Sequence, residues 1–141
     1  MDVLPILFRF LHIISAVTLV GGVLAWVYGF LPGLAALSAD SRAKVENAAA
    51  AAWRPLVLTS IVGLLVSGSW NFLTNFLHRE GLSRGWHPVF GVKILLVLHV
   101  FAVALLATKP GNTKRGRQLT GIAVSGMLII LLSAVLRILS K

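Results

Sequence analysis

Two histidines stand inside long apolar stretches of the sequence and are its first candidates for chemistry. His12 lies in the first stretch and His99 in the third. Ionisable side chains are costly inside a bilayer, so those found there are functional candidates by default. Counted from the predicted start of each helix, the two imidazoles lie about 12 and 16 Å deep at 1.5 Å per residue. We therefore predict that they sit at one level in the membrane.

Two neutral imidazoles at one depth on different helices suit a metal ion or a b-type haem held between facing side chains. Haem explains more of the sequence. Gly68 and Gly126 are small residues near that level, where a flat porphyrin needs space. Its propionates need cations, and Arg9, Lys93 and Arg137 stand toward the same membrane face. The pattern predicts the two histidines as axial ligands, with these residues around the haem.

Simpler interpretations stay open for the same residues. A histidine within the membrane can hydrogen-bond a neighbouring helix without any ligand, and Arg9 and Arg137 can extend to the interface. Small residues at four-residue spacing are typical of close helix packing. Two such pairs are present, Gly63 with Ser67 and Gly121 with Ser125.

The other two histidines, His78 and His87, flank a polar loop between the second and third apolar stretches. They could bind copper or another divalent ion, or be ordinary solvated residues. The chain has no cysteine, which excludes disulfides, thiolate metal sites and covalent haem attachment. It has four acidic residues, all predicted outside the membrane, so the sequence shows no hydrolytic site and no carboxylate proton path.

The amino-acid composition indicates that these residues belong to a membrane protein. Of the 141 residues, 57% are apolar and 12% are charged, about half the charged fraction of a soluble domain. Four stretches are long enough to cross a bilayer, which takes about 20 residues. They cover Leu4–Leu31, Pro55–Leu77, Pro88–Thr108 and Leu119–Leu139. We predict an all-α integral membrane protein, a single four-helix domain in which short loops make consecutive helices antiparallel neighbours.

A short interfacial helix is predicted between the first and second spans, over Ser38–Ala52, with Ser38 or Asp40 as its cap. The first span reads as a retained helix, because Asp2 replaces the basic start of a signal peptide and Arg9 and His12 interrupt the apolar run.

Orientation follows from the distribution of Lys and Arg. The side opposite the N-terminus carries the larger set: Arg42, Lys44, Arg54, Lys109, Lys114, Arg115 and Arg117. The loops 32–54 and 109–118 are therefore predicted to be cytoplasmic and both termini outside, in a bacterial inner membrane. The net charge of +9 fits anionic lipid rather than nucleic acid, since no basic amphipathic stripe is present.

Two segments resemble known membrane families. Phe10–Ala16, which contains His12, together with Gly21-Gly22 is similar to the first helix of CopD-like proteins and of HemJ-type protoporphyrinogen oxidases. The segment from Phe90 to His99, which contains Lys93, resembles a second helix of these families. The resemblance implies b-type haem binding, redox chemistry or copper handling. It marks His12 as a haem or metal ligand, Lys93 as a functional cation and His99 as the partner ligand.

The sequence thus favours a membrane b-type cytochrome with its haem near the outer face, passing electrons to a partner redox subunit or a quinone. Three alternatives remain: a protoporphyrinogen oxidase that depends on His12 and Lys93, a copper-transport or accessory subunit, and a structural subunit without a cofactor. The lipid bilayer is a partner in every case, and a homo-oligomer is compatible with each.

Overall fold

The computed structural model describes residues 3–76 and 84–140, and these are almost entirely helical, with no β-strand among them. Four long helices account for most of the chain: α1 (Val3–Ala25), α2 (Ala39–Phe76), α3 (Trp86–Ala107) and α4 (Arg115–Leu139). A π-helical turn, Trp26–Phe30, and short helical turns to Ala36 prolong α1. All four are long and apolar enough to cross a membrane, which confirms the predicted all-α class and the four apolar helices.

The outer surface of the four helices is apolar, as expected for a protein surrounded by lipid. Large apolar side chains are exposed along every helix; Phe10, Leu73, Leu95 and Leu131, one from each, are all more than half exposed. Because exposed apolar surface on this scale is not found on soluble monomers, it fits a bilayer environment.

The segment 38–52, predicted as a separate interfacial helix, instead forms the cap and the first turns of α2. The helix runs through Pro55 without a break, although proline lacks the N–H that would bond to the preceding turn. The Thr59 hydroxyl donates to the Pro55 carbonyl at 2.9 Å. At the start of the helix, the Ser38 hydroxyl accepts from the Ser41 N–H at 3.4 Å, as expected for a cap. The Ala-rich segment has no other breaker, so it joins the second span.

The most extensive packing is between α1 and α2 and between α3 and α4. Helix α1 also packs against α4, and α2 makes a smaller contact with α3. These neighbours place α1 and α3 diagonally, so that inward-facing residues of the two helices approach each other across the centre. The fully buried core includes Leu19, Val23, Val57, Leu119 and Ile122.

Candidate functional site

His12 projects from α1 toward α2. Its Nδ1 atom lies 3.0 Å from the hydroxyl oxygen of Ser67, and the imidazole is half-buried. Ser67 is fully buried, and its hydroxyl donates to the Gly63 carbonyl at 2.6 Å. The histidine is therefore anchored to the second helix through one side chain.

The hydrogen bonds of Ser67 fix the tautomer of His12. A serine hydroxyl has one hydrogen, and here it is used on the Gly63 carbonyl. The serine oxygen must then accept from His12, so we assign the imidazole proton to Nδ1. This leaves the lone pair on Nε2, which has no hydrogen-bond partner among the described residues. Histidines that bind metals show this pattern, with one nitrogen held by a polar neighbour and the other free.

Two glycines on α2 allow the close approach of α1 at this level. A Cβ atom on Gly63 would collide with the hydroxyl of Ser15, and one on Gly68 would lie 3.7 Å from Cε1 of His12. Gly63 therefore serves helix packing, one of the interpretations drawn from the sequence. Gly68 lies beside His12, at the depth that the sequence predicted.

Lys93 is the second inward-facing ionisable residue. It is half-buried on α3, and its ammonium group interacts electrostatically with the His12 imidazole. Lys93 is seven residues into α3, or about 10 Å, and His12 is nine residues into α1, or about 14 Å. Of the three cations predicted around a haem, Arg9 and Arg137 are exposed, so Lys93 alone is drawn toward the interior.

His99 faces the other way. It is exposed on the outer side of α3, about 20 Å into the helix. Six residues of α-helix separate it from Lys93, which places the two side chains about 120° apart around the axis. A helix that turns Lys93 inward must turn His99 away. The structure therefore brings His12 together with Lys93 and not with His99.

Gly126, predicted near the haem, lies against α1 at a different depth. A Cβ atom on it would be 3.2 Å from the side chain of Val20. Val20 is eight residues beyond His12, or about 12 Å along the helix. Gly126 thus allows α4 to approach α1 two turns away from the candidate site.

Of the two histidines predicted as a copper pair, the structure describes only His87. His78 lies outside the described residues. His87 is exposed, with its ring packed edge-on against Trp86 at 5.5 Å. Across residues 3–76 and 84–140, no three His, Cys, Asp or Glu residues are grouped so as to hold a metal ion.

A lipid-facing groove of about 460 Å³ lies beside the site on the α1–α2 face. Its walls include Phe8, one turn before His12, and Trp70, two residues after Gly68. Their rings stack at 4.4 Å. Flat, apolar molecules favour such aromatic surroundings.

Sequence reasoning missed a second polar cluster at the far end of α2. Arg115, predicted as a loop cation, is buried with only 3% of its side chain exposed. It pairs with Glu46 at 2.8 Å and donates to Asn47 at 3.0 Å. It also donates to the carbonyls of Ala107 at 2.7 Å and Lys109 at 2.8 Å, where α3 ends. Nothing in the sequence separates Arg115 from the exposed Lys114 and Arg117.

The residues around His12 suit a haem in part. The free Nε2 atom is a suitable axial ligand, and Lys93 is a suitable partner for a propionate. A second axial ligand on the same chain is not evident in the described residues, since His99 faces outward. Searches of family models, curated proteins and solved structures gave no match to this chain.

Proposed function

We propose that the protein binds a b-type haem in the membrane and transfers electrons, with His12 as an axial ligand through Nε2. The observation that carries the proposal is the contact of His12 Nδ1 with the Ser67 hydroxyl at 3.0 Å, combined with the donation of that hydroxyl to the Gly63 carbonyl at 2.6 Å. By accepting the Nδ1 proton, Ser67 orients the ring and leaves the ligating nitrogen free. A polar neighbour of this kind also raises the basicity of the ligand.

Lys93 would neutralise one haem propionate. A lysine held inside an apolar bundle is costly unless it meets an opposite charge. In residues 3–76 and 84–140 the structure gives Lys93 no ion-pair partner, since the recorded pairs are Asp40 with Lys44 and Glu46 with Arg115. A propionate carboxylate is the anion that a bound porphyrin would bring. The haem itself would supply the one-electron redox chemistry.

In this proposal the helices form an antiparallel bundle in a bacterial inner membrane, with both termini outside. The positive charge near residues 32–54 and 109–118 supports a cytoplasmic position for those segments. Lys93, near the start of α3, would then place the haem toward the outer face. Electrons would leave to a quinone or to a partner redox subunit.

The test is an absorption spectrum of the purified protein, oxidised and then reduced, with haem quantified per chain. We expect a Soret band and a sharp reduced α-band that His12→Ala abolishes. His99→Ala is the matched control, because His99 is also in a transmembrane helix but faces the lipid; this change should leave the spectrum unchanged. A flat spectrum after expression with ample haem would contradict the proposal, as would loss of the bands in His99→Ala but not in His12→Ala.

A second candidate is oxidation of protoporphyrinogen. The observation that favours it is that Lys93 is half-buried and near enough to His12 to act on it electrostatically; these are the two residues on which the resemblance to HemJ-type oxidases depends. Nε2 of His12 would accept a proton from the substrate, and Lys93 would bind a propionate. A quinone would receive the electrons.

Complementation separates the two candidates. An oxidase should restore haem synthesis in cells that lack this activity, and Lys93→Met should abolish growth while the protein still inserts in the membrane. An electron carrier should fail to restore growth even when wild type. His99→Ala again serves as the control and should complement like wild type.

A further inference from the structure

His99 lies at the centre of an unpartnered stripe on α3. Residues alternating at four and three positions form one face of this helix, and each of them is exposed. The stripe consists of Pro88, Val92, Leu95, His99, Ala102 and Leu106. Apart from His99, all of its members are apolar. The spacing is that of a helix–helix seam, in which His99 takes a central core position.

The depth of His99 makes its exposure costly. It is thirteen residues from the start of α3 and eight from its end, about 20 and 12 Å respectively. A histidine side chain is too short to reach either interface from there. Within the described residues it has no hydrogen-bond partner, and the hydrocarbon core of a bilayer has none to offer. The missing partner must lie at the same depth on another helix.

A second copy of this chain meets that condition by symmetry. In a dimer whose twofold axis runs along the membrane normal, a residue that faces the axis lies opposite the same residue of the second copy, at the same depth. A neutral imidazole has one N–H donor and one nitrogen acceptor, so two of them pair as N–H···N. We propose that the lipid-facing side of α3 is a homodimer interface, in which His99 of one protomer hydrogen-bonds His99 of its partner.

The exposed face of α1 lacks this property. On α1 and the π-helical turn that prolongs it, Gly21, Ala25 and Gly29 are exposed at four-residue spacing, but no polar side chain lies among them. Small residues at this spacing are typical of close helix packing, which makes this face the rival interface, but it has no polar side chain that lacks a partner. The α1 face therefore supplies the control for the α3 face. The proposed interface includes neither His12 nor Lys93, so dimerisation can be tested separately from haem binding.

Cross-linking in native membranes tests the interface directly. The chain has no cysteine, so single-cysteine variants report one position each. Leu95→Cys and Ala102→Cys should form disulfide-linked dimers on oxidation. Val17→Cys on α1 and Leu131→Cys on α4, both exposed by more than half, should stay largely monomeric. Equal cross-linking at all four positions, or none at Leu95 and Ala102, would overturn the proposal.

A second measurement addresses His99 itself. In lipid vesicles, dimerisation followed by energy transfer between labelled copies should weaken about three- to tenfold in His99→Leu, the effect expected for one interhelical hydrogen bond. His99→Asn, which keeps a donor and an acceptor, should lose less. An unchanged dissociation constant in His99→Leu, or a wild-type protein that stays monomeric, would refute the role of the pair.

Discussion

The two ends of α2 carry polar groups in opposite states. Near its start, the guanidinium of Arg115 meets two side chains and two carbonyls, and each of its nitrogens donates a hydrogen bond. About 30 Å farther along, Ser67 holds one nitrogen of His12 and leaves the other free. Lys93, which acts electrostatically on the same histidine, has no acidic partner among the described residues. Every nitrogen of the Arg115 guanidinium has a hydrogen-bond partner, whereas the cluster around His12 keeps one nitrogen without a partner.

The difference indicates what each cluster does. A buried charge that is fully paired holds elements together, and Arg115 ties the start of α2 to the turn between α3 and α4. A polar group left incomplete inside an apolar bundle costs stability, so it is retained where a ligand completes it. We therefore expect changes at Arg115 to affect stability, and changes around His12 to affect ligand binding.

The largest effect on stability is expected for Arg115→Met. Removing the guanidinium leaves Glu46 and two carbonyls without their partner, which should lower the free energy of unfolding by about 3 kcal/mol. Thermal unfolding in detergent measures the loss. Lys44→Met is the control on α2, the helix that carries Glu46; it breaks an exposed pair with Asp40 and should cost less than about 0.5 kcal/mol.

A double variant tests whether Arg115 and Glu46 stabilise the protein as a pair. Glu46→Met combined with Arg115→Met should be less destabilising than the sum of the two single changes, because neither charge is left buried alone. Haem binding should be unaffected in these variants. A loss of haem affinity in folded Arg115→Met protein would contradict the assignment of separate roles to the two ends of α2.

A smaller loss of stability is expected for Gly63→Ala. The added methyl group meets the hydroxyl of Ser15 where α1 and α2 are closest, and overpacking of this kind costs about 1–3 kcal/mol. Gly21→Ala is the matched control on α1, since its Cβ atom would enter open space. Equal melting temperatures for the two variants would show that the close approach of the helices is not as described.

The smallest effect is expected for Ser67→Ala, and it concerns ligand affinity. Loss of the acceptor for Nδ1 should weaken haem binding about tenfold, the lower end for removal of a residue that orients a ligand. Ser133→Ala is the control, because Ser133 makes the same bond to the preceding turn at 2.7 Å on α4. If both variants bind haem like wild type, Ser67 has no orienting role.

The sequence was sufficient for some features and not for others. The four apolar helices follow from hydropathy, because each must satisfy its own backbone in lipid. The placement of Gly68 near the level of His12 followed from depth alone. Depth cannot say which way a side chain points, so His99 was placed in the site although the 120° between it and Lys93 allows only one of them to face inward.

Arg115 and Pro55 show a second limit. Both were interpreted from local context, as a loop cation and a helix start. The partners of Arg115 are brought by α2 and by the end of α3, and the turns before Pro55 continue into the span that follows. Contacts between distant segments decide such cases, and a single sequence does not display them.

The central claim is that Nε2 of His12 binds the haem iron, and ligand rescue tests it most directly. His12→Gly protein should lose the reduced α-band and regain it when free imidazole is added, because the small molecule can occupy the place of the missing side chain. The same addition should not change wild-type protein or His99→Gly. Retention of the full spectrum by folded His12→Gly protein, without imidazole, would contradict the account.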